Sequence, residues 1–192
     1  MRKLIRFDDL YHWTYPLNYP SCHSVRPKVW PCIYLQNSII MATHYFDRHA
    51  SEANTFLSRL AKDIHEPENH QKAHRVTLAV LHTLRDRITI QESFQLMAQL
   101  PLFLKAMYVT EWKYGKAPSS ISHLDEFVDA VKSKYQMIGE KDFGDQQNAV
   151  FVIKMVFKAL GQYVTAGEWH DIMDNLPPKL HSLLKPAIAK SI

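Results

Sequence analysis

The residues most able to do chemistry in this 192-residue chain fall in one run, Val80 to Trp112, VLHTLRDRITIQESFQLMAQLPLFLKAMYVTEW. Arg85, Asp86 and Arg87 are consecutive there, and His82 stands four residues before Asp86. Two arginines side by side can hold an anion through forked hydrogen bonds. A histidine with a carboxylate one turn away is the pairing a general base uses, the carboxylate fixing the tautomer. Each pattern also has a plainer explanation. Arginines in a last helical turn satisfy free carbonyls and the macrodipole, with Glu92 as the expected partner of Arg87. At 100° per residue, Arg87 falls at the edge of the apolar stripe while Arg85 and Asp86 face away from it. His82 and Asp86 are then expected on the outer face, as an exposed pair. Tyr108 and Trp112 close the run, and Trp112, next to a linker, is placed to line a cleft.

Other catalytic chemistry finds little support. Both cysteines, Cys22 and Cys32, lie in the first forty residues, and no Gly-x-Ser-x-Gly turn supplies a serine nucleophile. No catalytic residue is assigned. His70 and His74 are spaced to share a metal, but no His-Glu-x-x-His and no evident third ligand accompany them, so they are read as surface histidines and no metal is expected. The five glycines are scattered, which leaves no phosphate-cradling loop and no expected cofactor.

The sequence pI near 9.0 would suggest nucleic acid or a membrane surface. Residues 1–40 explain most of it: Arg2, Lys3, Arg6, Arg26 and Lys28 against Asp8 and Asp9 account for three of the four net positive charges. The rest is close to neutral and has no basic helix interleaved with aromatics, so no nucleic-acid partner is expected. The most apolar stretch, Phe94 to Val109, is interrupted by Gln95, Gln99, Pro101 and Lys105. No apolar run reaches the roughly 18 residues of a spanning helix, no secretory leader is evident, and a cytoplasmic protein is expected.

Residues 1–40 hold four of the ten prolines and the clusters His12-Trp13-Thr14-Tyr15-Pro16 and Val29-Trp30-Pro31-Cys32, without helical or strand period. Two readings fit: a disordered binding tail, or a start assigned too early, with Met41 as the true first residue. The second is preferred, because disordered tails are usually poor in aromatics. From Ala53 the pattern is helical. Phe56, Leu57, Leu60 and Ile64 mark one helix, which Pro67 is expected to break. Ala73, Val76, Val80, Leu81, Leu84 and Ile88 mark a second. Thr89-Ile90-Gln91-Glu92 is a capping box, and Pro101 opens a helix whose buried side is Leu104, Met107 and Tyr108. Lys113 to Ser122 reads as the linker.

The same order then recurs. Phe127, Val128, Val131 and Tyr135 match the first stripe, and Ala149, Val152, Val156 and Leu160 match the second. Thr165-Ala166-Gly167-Glu168 matches the capping box, and Met173, Leu176, Pro177 and Leu180 match Met97, Leu100, Pro101 and Leu104. Gly139 to Gly144 is expected to be a longer loop, and Trp169 is expected in the core, stapled by Val164. The fold expected is all-α: about eight helices, a tandem duplication of a four-helix unit packed into one compact bundle. Its parts would be a 1–40 extension, repeats over 41–112 and 123–186, a 113–122 linker and a 187–192 tail. Arg85-Asp86-Arg87 has no counterpart in the second copy, which reads Gly161-Gln162-Tyr163.

Val80-Leu81-His82, Leu84 to Ile88, Glu92, Ala98-Gln99-Leu100-Pro101, Tyr108 and Trp112 resemble the bacterial domain of unknown function 2267 family, as do Ala53-Asn54, Glu126-Phe127 and Gly167-Glu168. The resemblance covers about residues 41–186 and implies a small, all-helical protein with no established activity. It departs at one place: Val109-Thr110-Glu111 stand where the family usually carries a glycine. Two functions are expected in turn. The first is a non-catalytic protein acting by self-association or through a protein partner. The alternative is a small-molecule or anion binding module with a cleft between the repeats near His82, Arg85, Asp86, Arg87, Tyr108 and Trp112.

Overall fold

The computed structural model describes residues 33–113, 121–135 and 139–191, with side chains from residue 44 onward. Most of the 1–40 extension, most of the 113–122 linker and the last residue of the 187–192 tail lie outside the described residues. The chain divides into two units, Met1–Ile39 and Ile40–Ile192, of which the second carries the core.

The described residues are all helical or irregular, with no strand: α1 Ile33–Asp63, α2 His70–Arg85, α3 Ile90–Gln99, α4 Leu102–Val109, α5 Leu124–Ser133, α6 Gly139–Phe143, α7 Gln146–Leu160, α8 Ala166–Asp174 and α9 His181–Ile188. A single 3-10 turn, Pro178–Leu180, leads into α9. The fold is therefore all-α. One more helix is present than the eight expected, because the segment from Gly139, expected as a loop, turns helical as α6. α9 also runs two residues past the expected end of the second repeat, and its Ala187 is fully buried.

α2 and α7 form the centre. α2 packs against α4, α5, α6 and α7, and α7 packs against α5, α6 and α9 as well. Their apolar stripes, Ala73, Val76, Val80 and Leu84 on one and Ala149, Val152, Val156 and Leu160 on the other, are all buried in one continuous core. Being covered on several sides, α2 buries more than a stripe: Lys72, Thr77, His82, Thr83 and Arg85 are buried too.

Local signals set the helix ends. α1 stops before Pro67 is reached. Glu66 N–H bonds Ala61 O at 2.9 Å and His65 N–H bonds Lys62 O at 3.1 Å, with His65 at φ 63°. This is the left-handed helix end of a Schellman motif, and it leaves Pro67 in the connecting turn, neither breaking α1 nor opening α2. Asn69 caps α2 by accepting the Lys72 N–H at 2.9 Å.

Both threonine caps form: Thr89 accepts Glu92 N–H at 3.2 Å, and Thr165 accepts Glu168 N–H at 3.4 Å. The reciprocal half of each expected box does not. Thr165 N–H donates instead to Gln99 Oε1 at 2.8 Å, and Gln99 Nε2 donates to Glu168 Oε2 at 3.1 Å. The α3 glutamine is thus inserted into the α8 cap and ties the two helices together. Glu168 is held above its ordinary value by burial first and then by the nearby Glu92 and Asp171 charges. Trp169 is buried, its ring edge-on to Phe157 at 6.0 Å.

Candidate functional site

The last two turns of α2 lie beside the C-terminal end of α4, where carbonyls have no intrahelical partner. His82 Nε2 is 2.8 Å from Met107 O. Arg85 Nη1 donates to Tyr108 O and, at 3.0 Å, to Thr110 O. The two residues, one turn apart on α2, together cap α4. They face inward, which corrects the expectation that His82 and Arg85 sit on an outer face: both are buried, Arg85 at 7% exposure. The wheel angle holds for an isolated helix, but α4 and α5 cover the side of α2 that the apolar stripe leaves open.

His82 is fixed at both nitrogens. A carbonyl can only accept, so Nε2 carries the proton toward Met107 O. Nδ1 then accepts from Tyr135 O–H at 3.1 Å. Burial is the main cause that pushes the His82 pKa below 6.5, outweighing the Met107 hydrogen bond. The exposed His82–Asp86 pair is not formed. Asp86 Oδ2 takes Lys134, from the end of α5, and Asp86 Oδ1 lies 3.6 Å from Arg85 Nε. A neutral imidazole with both nitrogens committed is a poor general base.

Arg87 is oriented elsewhere. Its Nε donates to Ile121 O at 2.9 Å, tying the turn that follows α2 to the segment leading into α5, and the expected pairing with Glu92 is not among its contacts. Tyr108 is fully buried and donates to Ser93 Oγ at 2.9 Å; burial pushes its phenol up to about 12. Its ring meets Trp112 edge-on at 5.7 Å.

Beside these contacts opens a cleft of ≈ 660 Å³ lined by His82, Arg85, Asp86, Glu111, Trp112, Lys113, Lys134 and Tyr135. Of the sequence-expected residues it brings together His82, Arg85, Asp86 and Trp112, while Arg87 and Tyr108 stand outside its lining. Arg85 lies over the Trp112 ring, 5.5 Å from its centroid. Its Nε has no hydrogen-bond partner among the described residues. Three cations, Arg85, Lys113 and Lys134, face two carboxylates, Asp86 and Glu111.

Glu111 adopts φ 55°, the left-handed conformation that glycine takes most easily, immediately after the α4 cap residue Thr110. This is the place where the resemblance leads one to expect a glycine. Lys134, Tyr135, Glu111 and Lys113 carry no mark of a site in the sequence. The repeat expected from the sequence would make Tyr135 a core position, and nothing in the spacing links the end of α5 to α2 roughly fifty residues earlier.

His70 and His74 are exposed and flank a shallow surface with Leu57 and Arg75. His70 Nε2 lies 3.3 Å from Ser58 Oγ. Burial first, then the Arg75 charge, lowers His74. Among the described residues no group of three metal-ligating side chains converges, and no helix is long and apolar enough to cross a membrane.

A family model described as an uncharacterized conserved protein (DUF2267) matches residues 53–183. No curated protein matches the chain.

Proposed function

The chain belongs to the domain of unknown function 2267 family, whose model spans every residue lining the α2–α4–α5 cleft, and from that premise we propose that it is a non-catalytic module that binds a small molecule in that cleft. One observation carries the reading: a buried guanidinium lines the cleft, and its Nε makes no hydrogen bond among the described residues, with Asp86 Oδ1 only as near as 3.6 Å. A buried donor left unpaired is costly, on the order of 1–3 kcal/mol, and a ligand acceptor would remove that cost. The volume is within the range of small-molecule sites.

The asymmetry between the halves supports the same reading. If 41–112 and 123–186 are copies, Arg85 corresponds to Gly161, where a Cβ would collide with Ala187 O. The second half closes its helix ends onto that glycine; the first holds them apart around an arginine. The cytoplasm is the proposed location, on the lack of cysteine beyond Cys32.

Association is the second reading, favoured by Ile90 and Phe94, exposed one turn apart on α3, and Leu102, exposed at the start of α4. A native mass spectrum of the protein purified from its own cells separates the two. A monomer carrying a stoichiometric extra mass that is absent from Trp112→Ala supports the cleft. A dimer or larger assembly without extra mass replaces binding with association.

A further inference from the structure

We propose that the cleft is a seat for a flat, singly charged organic carboxylate, its carboxylate on the Nε edge of Arg85 and its ring beside Trp112 and Tyr135. The proposal rests on the reading of the cleft as a binding site and names the chemistry of what occupies it.

The guanidinium supplies the anchor. Its Nη1 is spent on the carbonyls of Tyr108 and Thr110. That contact fixes the group in place before any ligand arrives, so little side-chain freedom is lost on binding. The Nε edge makes no hydrogen bond among the described residues, although Nε is buried and Asp86 Oδ1 approaches it at 3.6 Å, and an arginine edge matches a carboxylate in geometry as well as charge.

Asp86 and Glu111 are the described cleft carboxylates that would oppose an anion here, and Asp86 Oδ1 lies 3.6 Å from the same Nε. Lys134 sits on the other Asp86 oxygen and offsets that charge. Among the described residues the lining then has one positive charge in excess, from three cations and two carboxylates, with burial holding the His82 pKa below 6.5. A monoanion balances it. A doubly charged phosphate would reverse it in a partly enclosed space.

The aromatic lining argues for a flat body. Trp112 and Tyr135 are both half-buried and both line the cleft. Trp112 is held at a fixed angle, edge-on to Tyr108 and under Arg85. Tyr135 is held by its hydroxyl on His82. Two immobilised rings offer stacking area at low entropic cost.

The test is an NMR titration of the full chain with four probes: benzoate, benzyl alcohol, benzamidine and inorganic phosphate. Benzoate is expected to shift the Trp112 indole and the amides around Lys134 and Tyr135, and to bind about tenfold more tightly than benzyl alcohol, the loss that comes with removing a charge-assisted pair. Arg85→Lys keeps the charge but lacks the Nε donor, and should lose that preference. If loss of the α4 cap unfolds Arg85→Lys, Trp112→Leu serves instead and should weaken benzoate while leaving the fold intact. Equal or tighter binding of benzyl alcohol or benzamidine at the same residues would keep the cleft as a binding site and overturn the carboxylate seat. Phosphate binding there in place of benzoate would overturn the flat-body half of the proposal. Silence from all four probes would overturn both the seat and the binding reading beneath it.

Discussion

At the scale of single residues, the arrangement turns on how α4 ends. Its last carbonyls are taken by His82 and Arg85 from α2, and the chain leaves through Glu111 at φ 55°. A side chain in the left-handed region costs roughly 1 kcal/mol that glycine avoids, and a carboxylate at a helix C-terminus also opposes the macrodipole. Glu111→Gly is therefore expected to stabilise the protein by about 1 kcal/mol, read as a higher urea midpoint with an unchanged slope.

His82 makes a pH prediction at the same spot. Its folded pKa lies below 6.5, so below that pH the unfolded chain binds more protons than the folded one. Stability should fall as pH is lowered from 6.5 through the folded value. His82→Gln keeps an N–H donor for Met107 O and should flatten that part of the stability profile, leaving the contribution of His74, which is lowered in the same direction. A profile with the same slope in the variant would place the acid sensitivity elsewhere. The types and spacing of Arg85, Asp86 and His82 are legible in the sequence. Their direction is not, because a helical wheel knows only its own helix, and the partners that turn Arg85 and His82 inward come from α4 and α5.

At the scale of elements, apolar period and caps carry most of the information. The α2 and α7 stripes are buried where their 3.6-residue period puts them, and Thr89 and Thr165 cap α3 and α8. What the sequence conceals are contacts supplied by other helices. Gln99 displaces Glu168 from the N-terminal backbone of α8, a substitution that no i, i+3 pattern encodes. α6 is five residues long, begins on Gly139 and is followed by Gly144, too short to show a period.

The junction of α7 and α9 gives the element-scale prediction. A Cβ on Gly161 would collide with Ala187 O and fall 2.9 Å from Ala187 C, all of it backbone that cannot rotate away. Gly161→Ala must push the two helices apart, at a cost of about 2 kcal/mol for overpacking. In a protein of this size that lowers Tm by roughly 4–8 °C. The same substitution at Gly167, which has no atom within 4 Å of a Cβ, should leave Tm close to the parent value and serves as the control.

At the scale of the molecule, the question is whether the two helical halves are separate bodies or one. Their ion pairs answer in part. Arg75 on α2 holds Asp142 on α6 with two bonds, Nε to Oδ2 at 2.6 Å and Nη2 to Oδ1 at 2.8 Å. Asp142 is almost fully buried while Arg75 is 28% exposed, and the paired carboxylate raises the guanidinium pKa. Lys158 reaches Asp63 at 3.1 Å and Gln99 reaches into the α8 cap, so each half completes the polar groups of the other. The apolar core is likewise one cluster, drawn from α2 and α7 together. Asp142→Asn should then cost about 2–3 kcal/mol, less than for a fully enclosed pair because water reaches the arginine. That cost should move the whole unfolding transition. Hydrogen exchange is the measurement: in a single cooperative unit the slowest amides of α2, α7 and α9 all lose protection by the same free energy, although α9 lies far in sequence from the altered pair. If protection fell only in α2 and α6 and stayed at the parent level in α9, the halves would be independently stable. The cleft between α2 and α5 would then be a hinge, free to open without unfolding either side.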